Sequence, residues 1–362
     1  MGDRAQKSPF NLSVAGKGHG GSKDAPLASF ASTGEGPGQD DIRPVRTVGA
    51  WLFSARTGGV LLLAAIVAIL PLFLPNNFYF DVAIKTALHA IVCVGLNLLI
   101  GYAGQISLGH AGFFALGGYA SAILTARFGW PGLVAMLAGA VGVGVLAFLV
   151  ARPILRLKGH YLAMATLGLG IIISIIINRE IPLTGGPDGM SVPALWVGPW
   201  RLTGAVTWYW ISGIVLVLAV WLALNLVESP MGRALRALHG SEVAAETTGI
   251  DVTRYKVLVF VVSAVFASIA GSLFAHAERF VTPVEAGFLR SIEFVTMVVL
   301  GGMASIFGSV VGAAILTALP QVLAAVHDFK HLALGAILIA VMIFMPKGLV
   351  PTLAALWRRR VG

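Results

Sequence analysis

The sequence predicts an all-α integral membrane protein of about ten transmembrane helices, and three observations carry that expectation. The 362 residues are 57% hydrophobic and 11% charged, with a mean hydropathy of +0.88. A soluble domain is closer to half apolar and a quarter charged. Apolar runs of roughly 18 or more residues, long enough to cross a hydrocarbon core as helix, recur along most of the chain. Forty-four glycines would weaken a soluble helical protein, but in lipid small residues let helix backbones approach closely.

Residues 1–57 are rich in Gly, Ser, Ala and Pro with scattered charges and no periodic apolar run. Such a segment cannot bury enough surface to offset its ordering entropy, so a disordered tail is expected. It contains no apolar stretch followed by a cleavage site, so it does not read as a secretory signal.

The expected spans are 58–75, 80–100, 108–126, 132–151, 161–178, 208–227, 255–276, 291–304, 305–325 and 331–346. The third is partly polar and the eighth is short, so both are expected to be broken or tilted, which is tolerated where protein or a water-filled cavity covers the backbone. The membrane region therefore covers 58–350, followed by a basic tail at 351–362. Small-residue pairs expected at helix contacts are Ala140 with Gly144, Ala267 with Gly271, Gly271 with Ala275, and Gly308 with Gly312. LGGYAS at 116–121 echoes LGGMAS at 300–305, and in this span count the copies run in opposite directions, as an inverted repeat requires.

About ten spans put both termini on one side. Arg152, Arg156, Lys158, Arg233, Arg236, Arg254, Lys256, Lys347 and Arg358–Arg360 fall on that side, whereas Arg127, Arg179, Arg201, Arg279, Arg290 and Lys330 fall opposite. The positive-inside rule makes the first set cytoplasmic. The formal charge of +9 thus sets topology and argues for contact with membrane lipid, not nucleic acid. A lone cysteine, Cys93, excludes a disulfide framework and a Cys-based metal site.

Several motifs carry no chemistry. Gly16, Gly18 and Gly21 spell G-x-G-x-x-G, but no strand precedes them. There is no G-x-x-x-x-G-K-[ST] loop, so the chain holds no nucleotide in that way and any ATPase must be another subunit. His327 and His331 stand four apart without the Glu of H-E-x-x-H, which favours an exposed polar turn over a metal site. No metal or cofactor is expected in this chain.

Two regions remain for function. Asp81, Lys85 and His89 recur every four residues on one face of the second span. Asp81 and Lys85 are expected to pair and reach the interface, and His89 lies deeper. The segment Gly101–Tyr119, GYAGQISLGHAGFFALGGY, is glycine-broken and holds Gln105, Ser107 and His110, which either line a water path or build a packed helix joint. With Asn97 they complete a candidate translocation set of His89, Asn97, Gln105, Ser107 and His110.

The second region is Glu228–Asp251, a polar island between long apolar runs, which reads as a docking loop of two short helices. Ser229 before Pro230 caps the first and Gly240 is expected to end it left-handed; Ser241 caps the second and Gly249 ends it. Gly232, Arg233 and Arg236 on the first helix, with the pair Ala244 and Ala245 on the second and Gly249 behind them, are the candidate coupling residues.

Gly101–Tyr119 closely resembles the motif of permease subunits of bacterial ABC importers for branched-chain amino acids, the LivM type. KGHYLAMATLG at 158–168, TGGPDGM at 184–190, LGGMASIFGSVVG at 300–312 and PKGL at 346–349 resemble further family signatures in the same order, so the likeness covers roughly residues 80–350. The docking loop is similar to the E-A-A-x-x-x-G loop by which importer permeases engage their ATPases. Ala244, Ala245 and Gly249 keep that spacing, but Val243 stands where the Glu belongs and Glu242 comes one place earlier. Ala304 and Ser309 stand where Gly and Pro are expected.

The resemblance implies the importer permease core shared with ribose and vitamin B12 importers, in a multi-pass protein of the bacterial inner membrane. It further implies a related second permease, two cytoplasmic ATPases that bind the ATP, and a periplasmic binding protein delivering leucine, isoleucine or valine, with alternating access driven by ATPase closure. A urea or short-chain amide permease of the same family, and a proton-driven secondary transporter using Asp81, Lys85, His89 or Glu293, are the alternatives. An enzyme would need acid, base or metal groups at matching depth, and none converge.

Overall fold

The computed structural model describes residues 48–157, 159–197, 200–322, 335, 339, 345 and 348–352. The chain divides after Ala50, and the account below concerns the second unit, Trp51–Gly362. The G-x-G-x-x-G tail, Lys158, the His327/His331 pair, and most of the last expected span and the basic tail lie outside the described residues.

Helix boundaries follow local chemistry. α1 (Val48–Ile69) gives way to a 3₁₀ turn, Leu70–Phe73, where Pro71 cannot donate to the α-helical ladder. After the extended Asn76, α2 (Asn77–Asn97) runs into a π-helical turn, Leu98–Tyr102. Residues 104–109 are not helical, and α3 (His110–Ala126) begins beyond them. The break expected inside the third span therefore lies just before it. Pro131 in extended conformation opens α4 (Gly132–Ile154), and α5 (His160–Arg179) follows Gly159.

A short α6 (Ile181–Thr184) leads to β1 (Met190–Ser191), β2 (Leu195–Val197) and β3 (Trp200–Leu202). β2 and β3 form a hairpin with Leu195 opposite Leu202. α7 (Ala205–Glu228), α8 (Pro230–Gly240), α9 (Glu242–Thr247) and α10 (Val252–Glu278) come next. β4 (Phe280–Val281) pairs antiparallel with β1, Met190 opposite Val281. A 3₁₀ turn at Pro283–Ala286 then leads to α11 (Phe288–Gly301) and α12 (Ile306–Val322).

Nine of the ten expected apolar runs coincide with helices. Among the described residues five are long and apolar enough to cross a membrane: α2 with its π turn, α4, α5, α7 and α10. The apolar stretches Thr57–Phe73 and Ile306–Gln321 are shorter, as are α3 with 17 residues and α11 with 14. The six-residue echo takes two different local structures, mid-helix in α3 and a turn between α11 and α12.

α2 is the central post. Its apolar window is 83% buried, and it packs against α7, α10, α11 and α12. α4 and α5 instead leave most of their windows uncovered, as lipid-facing helices do. The tightest contact is α3 against α10. A Cβ on Gly271 would strike the Phe114 carbonyl, and one on Gly117 would strike the Ser268 backbone, so only glycine allows this approach. Three side-chain hydrogen bonds close the seam: His110 Nε2 with Ser263 Oγ at 2.6 Å, Ser272 Oγ to the Gly117 carbonyl at 2.9 Å, and Ser121 Oγ with His276 Nε2 at 2.8 Å. Of the other expected small-residue positions, Gly144 packs on Val265, and Gly308 and Gly312 pack on Gly301.

Candidate functional site

The 228–251 segment is the expected helix pair. The Ser229 hydroxyl accepts from the Gly232 amide at 3.4 Å, and the Ser241 hydroxyl accepts from the Ala244 amide at 3.3 Å, each satisfying a first-turn donor. In α8, half-buried Met231 and buried Ala234, Leu235 and Leu238 form an i, i+3, i+4, i+7 inner face, leaving Arg233, Arg236 and His239 exposed. Gly232 is buried, and a Cβ there would run into the Val227 carbonyl. Gly249 adopts φ +82, the left-handed end expected of it.

One detail differs from expectation and another refines it. Gly240 is the last residue of α8 and is not left-handed; Ser241, extended at φ −162, turns the chain while its hydroxyl caps α9. Ala244 and Ala245 do not share a face: Ala244 is exposed and Ala245 is buried, because adjacent helical residues point about 100° apart. The outward apolar position beside Ala244 is Val243, 68% exposed. Glu242 turns inward, where its Oε1 accepts from the Lys256 ammonium at 2.5 Å. Lys256 is buried near the start of α10, so the displaced Glu is a strut between the second short helix and the longest helix of the bundle.

The segment rests on the glycine-broken joint. α8 packs on the π turn, and the His239 ring lies so close over Gly104 that a Cβ there would come within 2.8 Å of Nδ1. Within the joint, the candidate residues are mostly consumed by packing. His110 bonds Ser107 Oγ through Nδ1 at 3.0 Å and Ser263 through Nε2. Thr166 Oγ1 accepts from the Leu108 amide at 3.0 Å. Gln105 is buried, with its Oε1 lacking a hydrogen-bond partner.

Asn97 serves the turn after α11. Its Nδ2 donates to the Ser305 carbonyl at 2.8 Å and to Ser309 Oγ at 2.7 Å, and its Oδ1 accepts from the Ala304 amide at 3.0 Å. Tyr102 Oη donates to the Ala304 carbonyl at 2.8 Å. Ala304 stands at φ +60, a conformation that favours glycine. The two departures noted in LGGMASIFGSVVG are thus linked: Ala304 is held in the glycine-like conformation by Asn97, and Asn97 is held in turn by the Ser309 hydroxyl. Gly348 of the PKGL motif packs against Gly302 of the same turn.

His89 lies apart from these residues. It lines a cavity of about 410 Å³ with Lys85, Glu278, Glu285, Arg290 and Glu293, walled on the apolar side by Phe274, Met297 and Leu316. His89 Nδ1 bonds Thr317 Oγ1 at 3.0 Å, and Nε2 is buried without a hydrogen-bond partner. The expected pairing with Asp81 is replaced: Lys85 reaches across to Glu278 at the end of α10, at 3.2 Å. Arg290 holds Glu285 through two hydrogen bonds, at 2.9 and 3.0 Å, and Glu293 at 2.8 Å. Glu278 ends α10 and Asp251 caps its start, so this cavity and the 228–251 segment sit at opposite ends of a 27-residue helix, roughly 40 Å apart.

A family model described as branched-chain amino acid transport system / permease component matches residues 78–345. The chain belongs to that family. It is 33% identical over 318 residues to the high-affinity branched-chain amino acid transport system permease protein LivM of Salmonella typhimurium, covering 80% of this chain and 74% of the relative. Against LivM of Escherichia coli it is 33% identical over 300 residues, 75% and 69% of the two chains. It is also 31% identical over 279 residues to the ribose import permease protein RbsC of Escherichia coli, 74% and 84% of the two chains. No solved structure matches.

As a member of this family, the chain is a multi-pass membrane permease, and the relatives named above are transport permeases. Sequence reasoning did not name His239, placed Lys256 only by topology, and noted Val243 only as a departure from the E-A-A-x-x-x-G pattern. The signal for Lys256 was present, since a lysine at the very start of the expected span 255–276 needs an acidic partner if it is buried.

Proposed function

We propose that this chain is one of two related permease subunits of an ATP-driven importer for leucine, isoleucine and valine, with 228–251 as its ATPase-coupling segment. The single observation that carries the coupling assignment is the arrangement of that segment: a helix pair with Arg233, Arg236, Val243 and Ala244 facing outward and one ion pair, Glu242–Lys256, tying it to α10. Two cytoplasmic ATPases bind the ATP, a periplasmic binding protein delivers the amino acid, and both termini and the coupling segment face the cytoplasm. Displacement of α8 and α9 passes along α10 to its far end and alternates the access of the pathway. Of the candidate pathway residues, His89 keeps a hydrogen-bonding atom unused beside a cavity, whereas Asn97, Ser107 and His110 are engaged in packing.

The test is gentle affinity purification from the native membrane with mass spectrometry of the companions, then uptake by the recovered complex in proteoliposomes. A second permease, ATPase subunits and ATP-dependent leucine uptake in the presence of the binding protein are expected. Recovery of the chain alone, from a detergent that preserves a control ABC complex, together with ATP-independent uptake, would replace this reading with a secondary transporter working through His89. Uptake of urea or acetamide in place of leucine would overturn the substrate.

A further inference from the structure

A second groove lies beside the coupling segment, between the end of α4 and the start of α10. It has a volume of about 540 Å³ and is lined by Arg152, Arg156 and Arg254, with Phe148 and Leu258 below them. Along α4 one exposed face runs Leu137, Val141, Val145 and Phe148, at helical spacing, and the next position on that face is Arg152. The Arg152 guanidinium lies over the Phe148 ring at 5.5 Å. On α10 the same change occurs within one turn, from exposed Leu258 to exposed Arg254. The groove is thus apolar toward the middle of the bundle and cationic at its end. Among the described residues no salt bridge joins Arg152, Arg156 or Arg254 to a carboxylate, and the one carboxylate lining the groove, Asp251, is bonded to the Arg254 amide at 3.0 Å as the α10 cap.

We propose that this α4–α10 groove is a binding site for an anionic phospholipid, whose phosphate is held by Arg152, Arg156 and Arg254 and whose acyl chain lies along the exposed apolar face of α4. The graded chemistry selects the occupant. A guanidinium fork matches two phosphate oxygens at once, an apolar track at membrane depth fits a hydrocarbon chain, and three clustered cations favour a net negative headgroup over a zwitterionic one. The site adjoins the root of the coupling segment, since Asp251 lies two residues beyond Gly249, so the lipid braces the point where α9 joins α10.

The experiment uses the intact complex, delipidated in mild detergent and returned to vesicles of phosphatidylcholine alone or mixed with phosphatidylglycerol, with retained lipid counted by native mass spectrometry. The wild type is expected to retain phosphatidylglycerol selectively. The triple variant R152Q/R156Q/R254Q should bind it roughly a hundredfold more weakly, given the contribution of each basic residue near an anionic surface. The charge-conserving variant R152K/R156K/R254K, a control for folding, should keep selective retention. Equal retention of phosphatidylcholine, or equal retention of phosphatidylglycerol by wild type and the Gln variant, would overturn the proposal. So would displacement by glycerol phosphate, which carries the headgroup without a chain, or loss of the ATPase subunits from the Gln variant with its lipid still bound. None of these readouts depends on which solute the complex transports.

Discussion

Glu242 on α9 and Lys256 on α10 form a 2.5 Å ion pair in which the ammonium is almost completely buried and the carboxylate is partly wet. Removing one partner leaves a charge in an apolar setting, which costs on the order of 3 kcal/mol, whereas removing both leaves none. Glu242→Gln should therefore lower the melting temperature of the purified complex more than the double variant Glu242→Gln/Lys256→Met does. The pair ties α9 to α10, so under the proposed coupling role the double variant should still hydrolyse ATP but move less leucine per ATP. Additive single effects, or an unchanged transport-to-hydrolysis ratio, would remove the strut.

Gly249 stands at φ +82 with open space where a Cβ would point, so the penalty for a side chain is confined to the backbone. Gly249→Val should cost about 1–2 kcal/mol locally, misplace the end of α9 and abolish transport, with membrane insertion intact. Gly249→Asn, which tolerates the left-handed conformation, should keep most uptake. Normal transport by the valine variant would contradict the coupling role of this turn.

Arg233 and Arg236 are exposed on α8 beside the joint at Gly104. Reversing both to Glu should weaken ATPase association, measured by co-purification at low and high salt, with the loss greatest at low salt where surface charge is least screened. Unchanged co-purification would assign the two arginines to topology or to lipid.

Ala304 pays the backbone cost of a left-handed residue, held there by Asn97 and Tyr102. Ala304→Gly should raise the stability of the complex by about 1 kcal/mol. Asn97→Leu, which leaves the Ala304 amide without its acceptor and removes one bond each to the Ser305 carbonyl and the Ser309 hydroxyl, should lower it by roughly 2 kcal/mol. Thermal unfolding of the purified variants reads both; equal melting temperatures would mean that the turn is fixed by other contacts, such as Gly348 against Gly302.

Most of the helical architecture was legible because span length is a crude and strong signal, and the caps at Ser229 and Ser241 were legible because a hydroxyl at those positions has few other local uses. Gly240 misled because glycine is the usual way to turn at a helix end, yet an extended Ser241 turns the chain equally well. The pairing of Lys85 could not be read from spacing: Glu278 is distant in sequence and close only after α2 and α10 pack. Asn97 was nameable as a buried polar group, but its partners lie some two hundred residues away, so pathway lining and structural clamp were indistinguishable from the sequence.

The α3–α10 seam bears on how the bundle moves. Its outermost hydrogen bonds, at Ser263 and His276 of α10, are separated by about 20 Å of helix, and between them the two backbones touch at glycine depth. Sliding one helix past the other by a turn would break all three bonds and drive side chains into carbonyls. The two helices therefore form a single girder. A displacement applied at Lys256 would arrive at Glu278 undiminished in length and carry α3 with it, leaving flexing to helices with fewer neighbours, such as α5, and a distance ruler placed across the girder should read the same value whatever the rest of the bundle does.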